Sequence, residues 1–340
     1  MEVRLYKLHF TTPVHFGNAR ADYDVSLTTI PSDSLYAALI ACRAKYGKSL
    51  PNDKDRDFGF ILSSTFPFYQ ENEKSNARLF FPRPLSLTLE DDNLDYRKKI
   101  KKVEWLEKES FKKAIVGEDL IDKPSKVRNN VCGKYFVDKE RIDKDFVYSE
   151  ECPRVKVNKR NFDEDAEPFY IDKVYFKDYS GLFFLAKGDK DSFEILEESL
   201  QLLKMEGIGT DRNVGNGFFE FYPEKDVVDF SNELPFAENE YSEYLLSLSS
   251  LIPKDKTMVE KLIAGDKISY NLHRNGGWIA VPEHSKLRKN VIYSFTSGSV
   301  FSNPHENSIG RIEELKPTVI KDEKFHVWRN GKSIFLPIKL

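Results

Sequence analysis

Residues 193–221 read as a helix, a glycine-rich loop and a strand. Phe193, Leu196, Leu200 and Leu203 recur at spacings of three and four, which puts them on one helical face. Gly207-Ile208-Gly209-Thr210-Asp211-Arg212-Asn213-Val214-Gly215-Asn216-Gly217 follows, and Phe218-Phe219-Glu220-Phe221 reads as a strand. Four glycines in eleven residues permit positive φ and close backbone approach, so successive N–H groups can form a concave nest for phosphate oxygens. Arg212 adds a planar donor fork for the same kind of ligand. Walker A and dinucleotide loops both run from strand into helix, the reverse of the order here, and their spacings do not match. Mononucleotide and dinucleotide binding are therefore not expected. A nucleic-acid backbone remains open, and so does a plain turn between helix and strand.

Working outward, Val3-Arg4-Leu5-Tyr6-Lys7-Leu8-His9-Phe10 reads as a strand ended by Thr12-Pro13. A loop leads to Pro31, and Ser32 is the expected cap of a helix carrying Leu35, Ala38, Leu39, Cys42 and Tyr46 until Gly47. Phe58–Phe68 is expected as a strand-like hairpin arm, and Arg78–Pro84 as an extended edge segment. Strand texture returns at Arg154–Asn158, Phe169–Phe176 and Gly181–Leu185. The order strand, helix, strands, helix, strand is the split βαβ, ferredoxin-like pattern. We therefore expect an α+β protein of two ferredoxin-like (RRM-like) domains. The first spans 1–225, with a basic thumb-like insertion over about 85–153. A charged linker follows, and a smaller second domain spans 236–340, with strand-like stretches near Tyr244–Leu248, Trp278, Val291–Phe295 and Val327–Pro337.

Composition fits this reading. With 26 Phe and 16 Tyr among 340 residues, the chain has the apolar surface for two cores and is not a disordered polymer. The overall charge is −3, yet residues 97–160 hold 19 Lys and Arg against 12 Asp and Glu, so one segment is basic within an acidic remainder. The charged runs there, such as Arg97–Lys102, show few periodic apolar positions, so the segment is expected to add little to the core. Cys42, Cys132 and Cys152 are odd in number and lack CxxC spacing, which suggests neither a disulfide framework nor a zinc site. No export signal or long apolar run is recognisable, so a cytoplasmic, membrane-free protein is expected.

The opening LYKLHFTTPVHFG (5–17), the helix start IPSDSLYAAL (30–39) and the glycine loop resemble, at matching places, the RAMP superfamily of CRISPR proteins. Within it they look most like the fourth Csm subunit of type III-A complexes, a Cas5-group protein, and HRNGGWI (273–279) and SFTSGSVF (294–301) are similar to that family as well. The resemblance covers most of the chain except the insertion. It implies a subunit without catalytic residues or cofactor that caps the 5′ repeat-derived handle of the guide RNA. It also implies contacts to the large polymerase-like subunit and to the first backbone RAMP subunit, with the insertion reaching target RNA near the guide 5′ end. A metal-independent endoribonuclease of the same superfamily is the alternative, although its glycine loop generally lies near the C-terminus.

Candidate RNA-binding residues follow from these readings. They are His15 and Gly17 in the first loop, Ser32 and Ser34 at the helix start, and Gly207, Gly209, Thr210, Asp211, Arg212, Asn213, Gly215, Asn216 and Gly217 in the glycine loop. A helix N-terminus favours an anion, although capping alone explains Ser32. Arg154, Lys156, Lys159 and Arg160, with Phe162, Phe169 and Tyr170 close behind, combine phosphate charge with stacking rings, which suits single-stranded RNA as much as a solvated strand face. Arg274, near Trp278, is a further candidate. His15 is the one residue weighed as a general acid, and no second acid or base is tied to it by motif.

Overall fold

The computed structural model describes residues 2–17, 23–51, 57–89, 94–120, 130–156, 167–236, 241–279 and 281–340. The first part runs β1 (Glu2–Phe10), α1 (Ser32–Lys45), β2 (Ile61–Leu62), β3 (Phe66–Tyr69), β4 (Arg78–Pro82), α2 (Leu94–Ile100), β5 (Trp105–Glu107) and α3 (Lys108–Ile115). It continues through β6 (Val131–Cys132), β7 (Tyr135–Phe136), β8 (Val147–Lys156), β9 (Glu167–Phe176), β10 (Gly181–Gly188), α4 (Lys190–Glu206), β11 (Phe219–Glu220) and β12 (Val227–Asp229). The second part holds β13 (Tyr244–Ser247), α5 (Lys256–Leu262), β14 (Leu272–Asn275), β15 (Ile292–Phe295), β16 (Val300–Ser302), β17 (Ile312–Glu314), β18 (Trp328–Asn330) and β19 (Phe335–Ile338). The fold is mixed α/β around a ten-stranded sheet of order β11-β1-β10-β3-β4-β5-β7-β6, with β12 also on β1 and β2 also on β10. All pairings in it are antiparallel except β5 with β7.

β1 and β10 form its centre, in register from Glu2 with Gly188 to Leu8 with Leu182. Alternate side chains of a strand face opposite ways, and here both faces are covered, so the pair reads as continuous apolar sequence. On one face Tyr6, Leu8, Phe10, Leu182 and Phe184 pack under α1 and α4, through Leu35, Tyr36, Leu39, Phe193, Leu196, Leu200 and Leu203. Arg43 of α1, almost fully buried, donates to Glu198 of α4 at 2.7 Å and to the Ser49 carbonyl at 2.9 Å. α4 starts from a capping box, with Asp189 accepting from the Ser192 N–H, and stops at Gly207, whose φ is 73°.

On the other face Val3, Leu5, Phe183 and Leu185 meet Phe66 and Phe81, and then Tyr96, Ile100, Leu106, Phe111, Ile115 and Phe136. The expectation that residues 85–153 add little core is thereby overturned for this stretch. Several of its apolar side chains, Tyr96, Ile100, Leu106, Phe111, Ile115 and Phe136 among them, are buried in this core, and β5, β6 and β7 extend the large sheet. The end of Phe58–Phe68 is a hairpin arm as expected, since β3 pairs antiparallel with β4, and β2 and β3 each pair with β10 as well. Leu246, Leu336 and Ile338 of the second part join this same core, while Leu245, Leu251, Met258, Leu262, Phe295 and Phe301 form a smaller cluster there. No helix among the described residues is long and apolar enough to cross a membrane.

Candidate nucleic-acid interface

The glycine loop is built against the segment after β1. Thr210 N–H donates to the His15 carbonyl at 3.0 Å, Gly217 N–H to the Pro13 carbonyl at 2.9 Å, and Ile208 N–H to the Gly217 carbonyl at 2.8 Å. The far side of that segment bridges to β9 through Val14 and Val174. Three chain segments far apart in sequence thus share one spine. Two glycines are required by this packing: a Cβ on Gly209 would sit 2.7 Å from the His15 carbonyl oxygen, and one on Gly217 would sit 2.2 Å from that of Ile208. Asp211 itself adopts the left-handed region at φ 60°, which short polar side chains tolerate best.

Arg212, Asn213 and Val214 form a single exposed turn at the tip. Val214 and Gly215 N–H groups close on Asp211 and Arg212, whereas those of Asp211, Arg212 and Asn213 have no acceptor among the described residues. The Arg212 guanidinium has no carboxylate partner there either. Glu206, the nearby acid that feels its charge, is taken up by Lys45 at 2.6 Å and Tyr46 at 2.6 Å, which hold its carboxyl below the usual range. The exposed turn therefore offers N–H donors and a guanidinium that have no acceptor among the described residues.

The hairpin of β8 and β9 reaches the same place. Arg154 Nη2 lies 3.3 Å from Asp211 Oδ2, and Lys173 Nζ lies 3.4 Å from Asn216 Oδ1. Arg154 and the glycine loop, two separate candidates in the sequence, are one surface. Phe169 and Tyr170 on β9 are exposed, with Tyr23 tilted against Phe169 at 6.0 Å. Lys173 had no signal in the sequence, because only the register of the hairpin turns it toward Asn216. Lys156 ends β8, and Lys159, Arg160 and Phe162 lie outside the described residues.

His15 is not exposed. Its side chain is buried, and Nδ1 is 2.7 Å from the Asp172 carbonyl, so that nitrogen carries the proton and donates. Gly17 lies exposed on the short pairing with Ser26. Ser32 is not the helix cap: Pro31 occupies that position, and Ser32 Oγ accepts from the Ser250 N–H at 2.8 Å. Ser34 Oγ accepts from Arg329 Nη1 at 3.0 Å. The start of α1 is thus a contact with the second part of the chain. Arg274 sits on β14 opposite Tyr293, in that second part.

The model of the RAMP superfamily matches residues 7–220, the span that holds the large sheet and the glycine loop. The chain belongs to the RAMP superfamily. Residues 240–338 match the model described as the CRISPR Csm4 C-terminal domain. A Streptococcus thermophilus protein named CRISPR system Cms protein Csm4 is 25% identical over 92% of this chain and 93% of its own length. Proteins of the same name from Mycobacterium tuberculosis are 25% identical over 91% of each chain. In fold, the chain is similar to one in the crystal structure of a Csm3–Csm4 subcomplex, with a TM-score of 0.67, 19% identity and 100% of both chains covered. It is also similar to one in a Csm1–Csm4 cassette in complex with pppApA, with a TM-score of 0.60, 18% identity and 100% and 99% covered.

Proposed function

We propose that this chain is the non-catalytic subunit of a type III-A CRISPR ribonucleoprotein that binds and caps the 5′ handle of the guide RNA. In this reading it links the large polymerase-like subunit to the RAMP backbone filament. The observation that carries the RNA-binding part is the exposed Arg212 turn, whose N–H donors and guanidinium have no acceptor among the described residues, on a loop that Arg154 and Lys173 also contact. Backbone N–H groups and Arg suit phosphate oxygens, and the exposed Phe169 and Tyr170 suit splayed bases. Cleavage by His15 is disfavoured by its burial and by its bond to a main-chain carbonyl, which leaves no exposed acid at that position. Relatives crystallised as Csm3–Csm4 and Csm1–Csm4 assemblies support the two protein partners. The strand order β11-β1-β10-β3 with α1 and α4 on one face supports the ferredoxin-like reading of the first domain.

The test is affinity purification of the tagged chain from its native host, with sequencing of the bound RNA and identification of co-purifying proteins. A uniform 5′ repeat fragment with a large polymerase-like protein and a RAMP protein is expected. RNA without a common 5′ end contradicts the handle reading.

A further inference from the structure

β14 and β15 form a two-stranded ribbon whose two sides differ, since alternate residues of a strand face opposite ways. Toward the protein, Asn275 and Ser294 are buried, and Asn275 Nδ2 donates to Ser294 Oγ at 2.8 Å. On the other side Leu272 pairs with Phe295, and Arg274 with Tyr293. Phe295 is buried, with Tyr270 edge-on to it at 5.1 Å, whereas Leu272 and Tyr293 are 56% and 49% exposed. A Cβ on Gly276 would lie 3.5 Å from Val291 Cγ2, so the exposed Val291 continues the row. Beyond Gly277 the ribbon goes on: Trp278 bridges to Arg288, while the Lys289 and Ile279 N–H groups donate to the Gly277 and Leu287 carbonyls at 2.9 and 3.0 Å. The Arg288 guanidinium lies over the Trp278 ring, 4.8 Å from its centroid, and has no carboxylate partner among the described residues. Trp278 nevertheless remains 53% exposed. Between Tyr270 and Phe295 the sequence sets four Lys and Arg against Glu283 alone, in a chain whose net charge is −3.

We propose that this ribbon is a binding surface for single-stranded RNA, separate from the glycine loop. Each exposed ring has an arginine beside it, Arg274 directly across from Tyr293 and Arg288 over Trp278. Unpaired bases stack on such rings and on guanidinium planes, and the arginine charge suits the phosphates between them. A duplex keeps its base faces stacked inside, so a single strand is the form that fits. Tyr293 lies opposite Arg274, four residues before Trp278, which sets the two rings about 13 Å apart along a strand and gives them different bases of one chain. A protein partner would cover Leu272 and Val291 equally well, but a basic ribbon whose rings are each paired with an arginine favours a ligand in which anionic and flat aromatic groups alternate. The site goes beyond the handle reading and does not rest on it.

Trp278 supplies a local readout, because of the three tryptophans Trp105 is half-buried and Trp328 is buried. The full chain is titrated with oligouridylate of about 12 nucleotides, within the span of single-strand sites, while tryptophan emission is followed. Saturable quenching is expected in wild type and in Arg212→Ala with equal midpoints, and it is expected to vanish in Trp278→Phe. Tyr293→Ala should weaken the midpoint about fivefold or more, the size of one lost stack. Arg288→Gln should weaken it too and flatten its salt dependence by roughly one counterion. All four side chains are exposed, so unfolding curves like that of wild type are expected throughout. Absence of quenching in wild type, or quenching undiminished in Trp278→Phe, overturns the site, and so does a midpoint that follows Arg212→Ala instead of Tyr293→Ala. Quenching by polyglutamate and not by oligouridylate also overturns it, and makes the ribbon a dock for an acidic protein. If Arg212→Ala leaves handle binding intact while Trp278 is quenched as expected, the ribbon site stands and the glycine-loop reading fails.

Discussion

Arg154 and Asp211 form an ion pair at 3.3 Å that ties the β8–β9 hairpin to the glycine loop, and both side chains are about one-third exposed. A pair this wet contributes little to stability, in the range of about 0–1 kcal/mol. Arg154→Ala should therefore leave the unfolding midpoint nearly unchanged. RNA affinity should fall several-fold, because one phosphate-directed charge and the hold on Asp211 are both lost. Denaturant unfolding and RNA titration of the same preparation separate the two effects. A large loss of stability would make Arg154 a structural residue instead.

The described residues between α2 and β7 contribute core side chains from Tyr96 to Phe136. Phe111 is fully buried and stacks on Phe81, with ring centroids 4.7 Å apart. Phe111→Ala is expected to cost about 3–5 kcal/mol, the range for deleting a buried aromatic ring. Deleting residues 94–136 should abolish cooperative unfolding, checked by circular dichroism during a melt. A truncated chain with a sharp transition would return this segment to the status of an insertion.

The sequence revealed some elements and hid others for physical reasons. Helical spacing from Phe193 to Leu203, ended by Gly207, is a local signal, and α4 lies there. Residues 94–136 were misread because isolated apolar residues such as Ile100, Leu106 and Phe111 carry no period of their own; the lysines between them face water while the sheet gathers them inward. The glycine loop was legible as a place where backbones meet. Its junction with Arg154 and Lys173 was not, because that depends on the register of the hairpin. Ser32 looked like a cap, but the neighbouring Pro31 takes that position and the second part of the chain claims the serine.

Two glycines of the loop should behave differently. At Gly217 a Cβ would overlap the Ile208 carbonyl at 2.2 Å, with φ at 84°. Gly217→Ala should destabilise by about 2 kcal/mol or more, since strain and a backbone clash add. Gly215 has φ 88° with nothing within 4 Å, so Gly215→Ala should cost only about 1–2 kcal/mol, the left-handed penalty alone. Equal costs in parallel melts would remove the close approach from the account.

Asp226 sets an acid-side dependence. Burial alone would raise its carboxyl, but His9 at 3.0 Å, the Tyr222 N–H at 2.9 Å and Lys7 at 3.5 Å together hold it below the ordinary 3.8. A folded pKa lower than the unfolded one gives stability that is present above about 4 and is lost as pH falls through the folded value. Asp226→Asn should lower the melting temperature at pH 7 and lower it progressively less as pH falls below about 4. A pH-independent difference would show that the carboxylate charge is irrelevant.

Arg212 carries the central claim. Binding of 5′ handle RNA to the full chain, titrated across a salt series with unfolding measured in parallel, should show Arg212→Ala at least tenfold weaker. That corresponds to one charge-assisted contact of about 1.5–3 kcal/mol. Its salt slope should be shallower by roughly one counterion, and its unfolding curve should match wild type. Wild-type affinity and salt slope in Arg212→Ala would contradict the account and leave the glycine loop as a turn between α4 and β11.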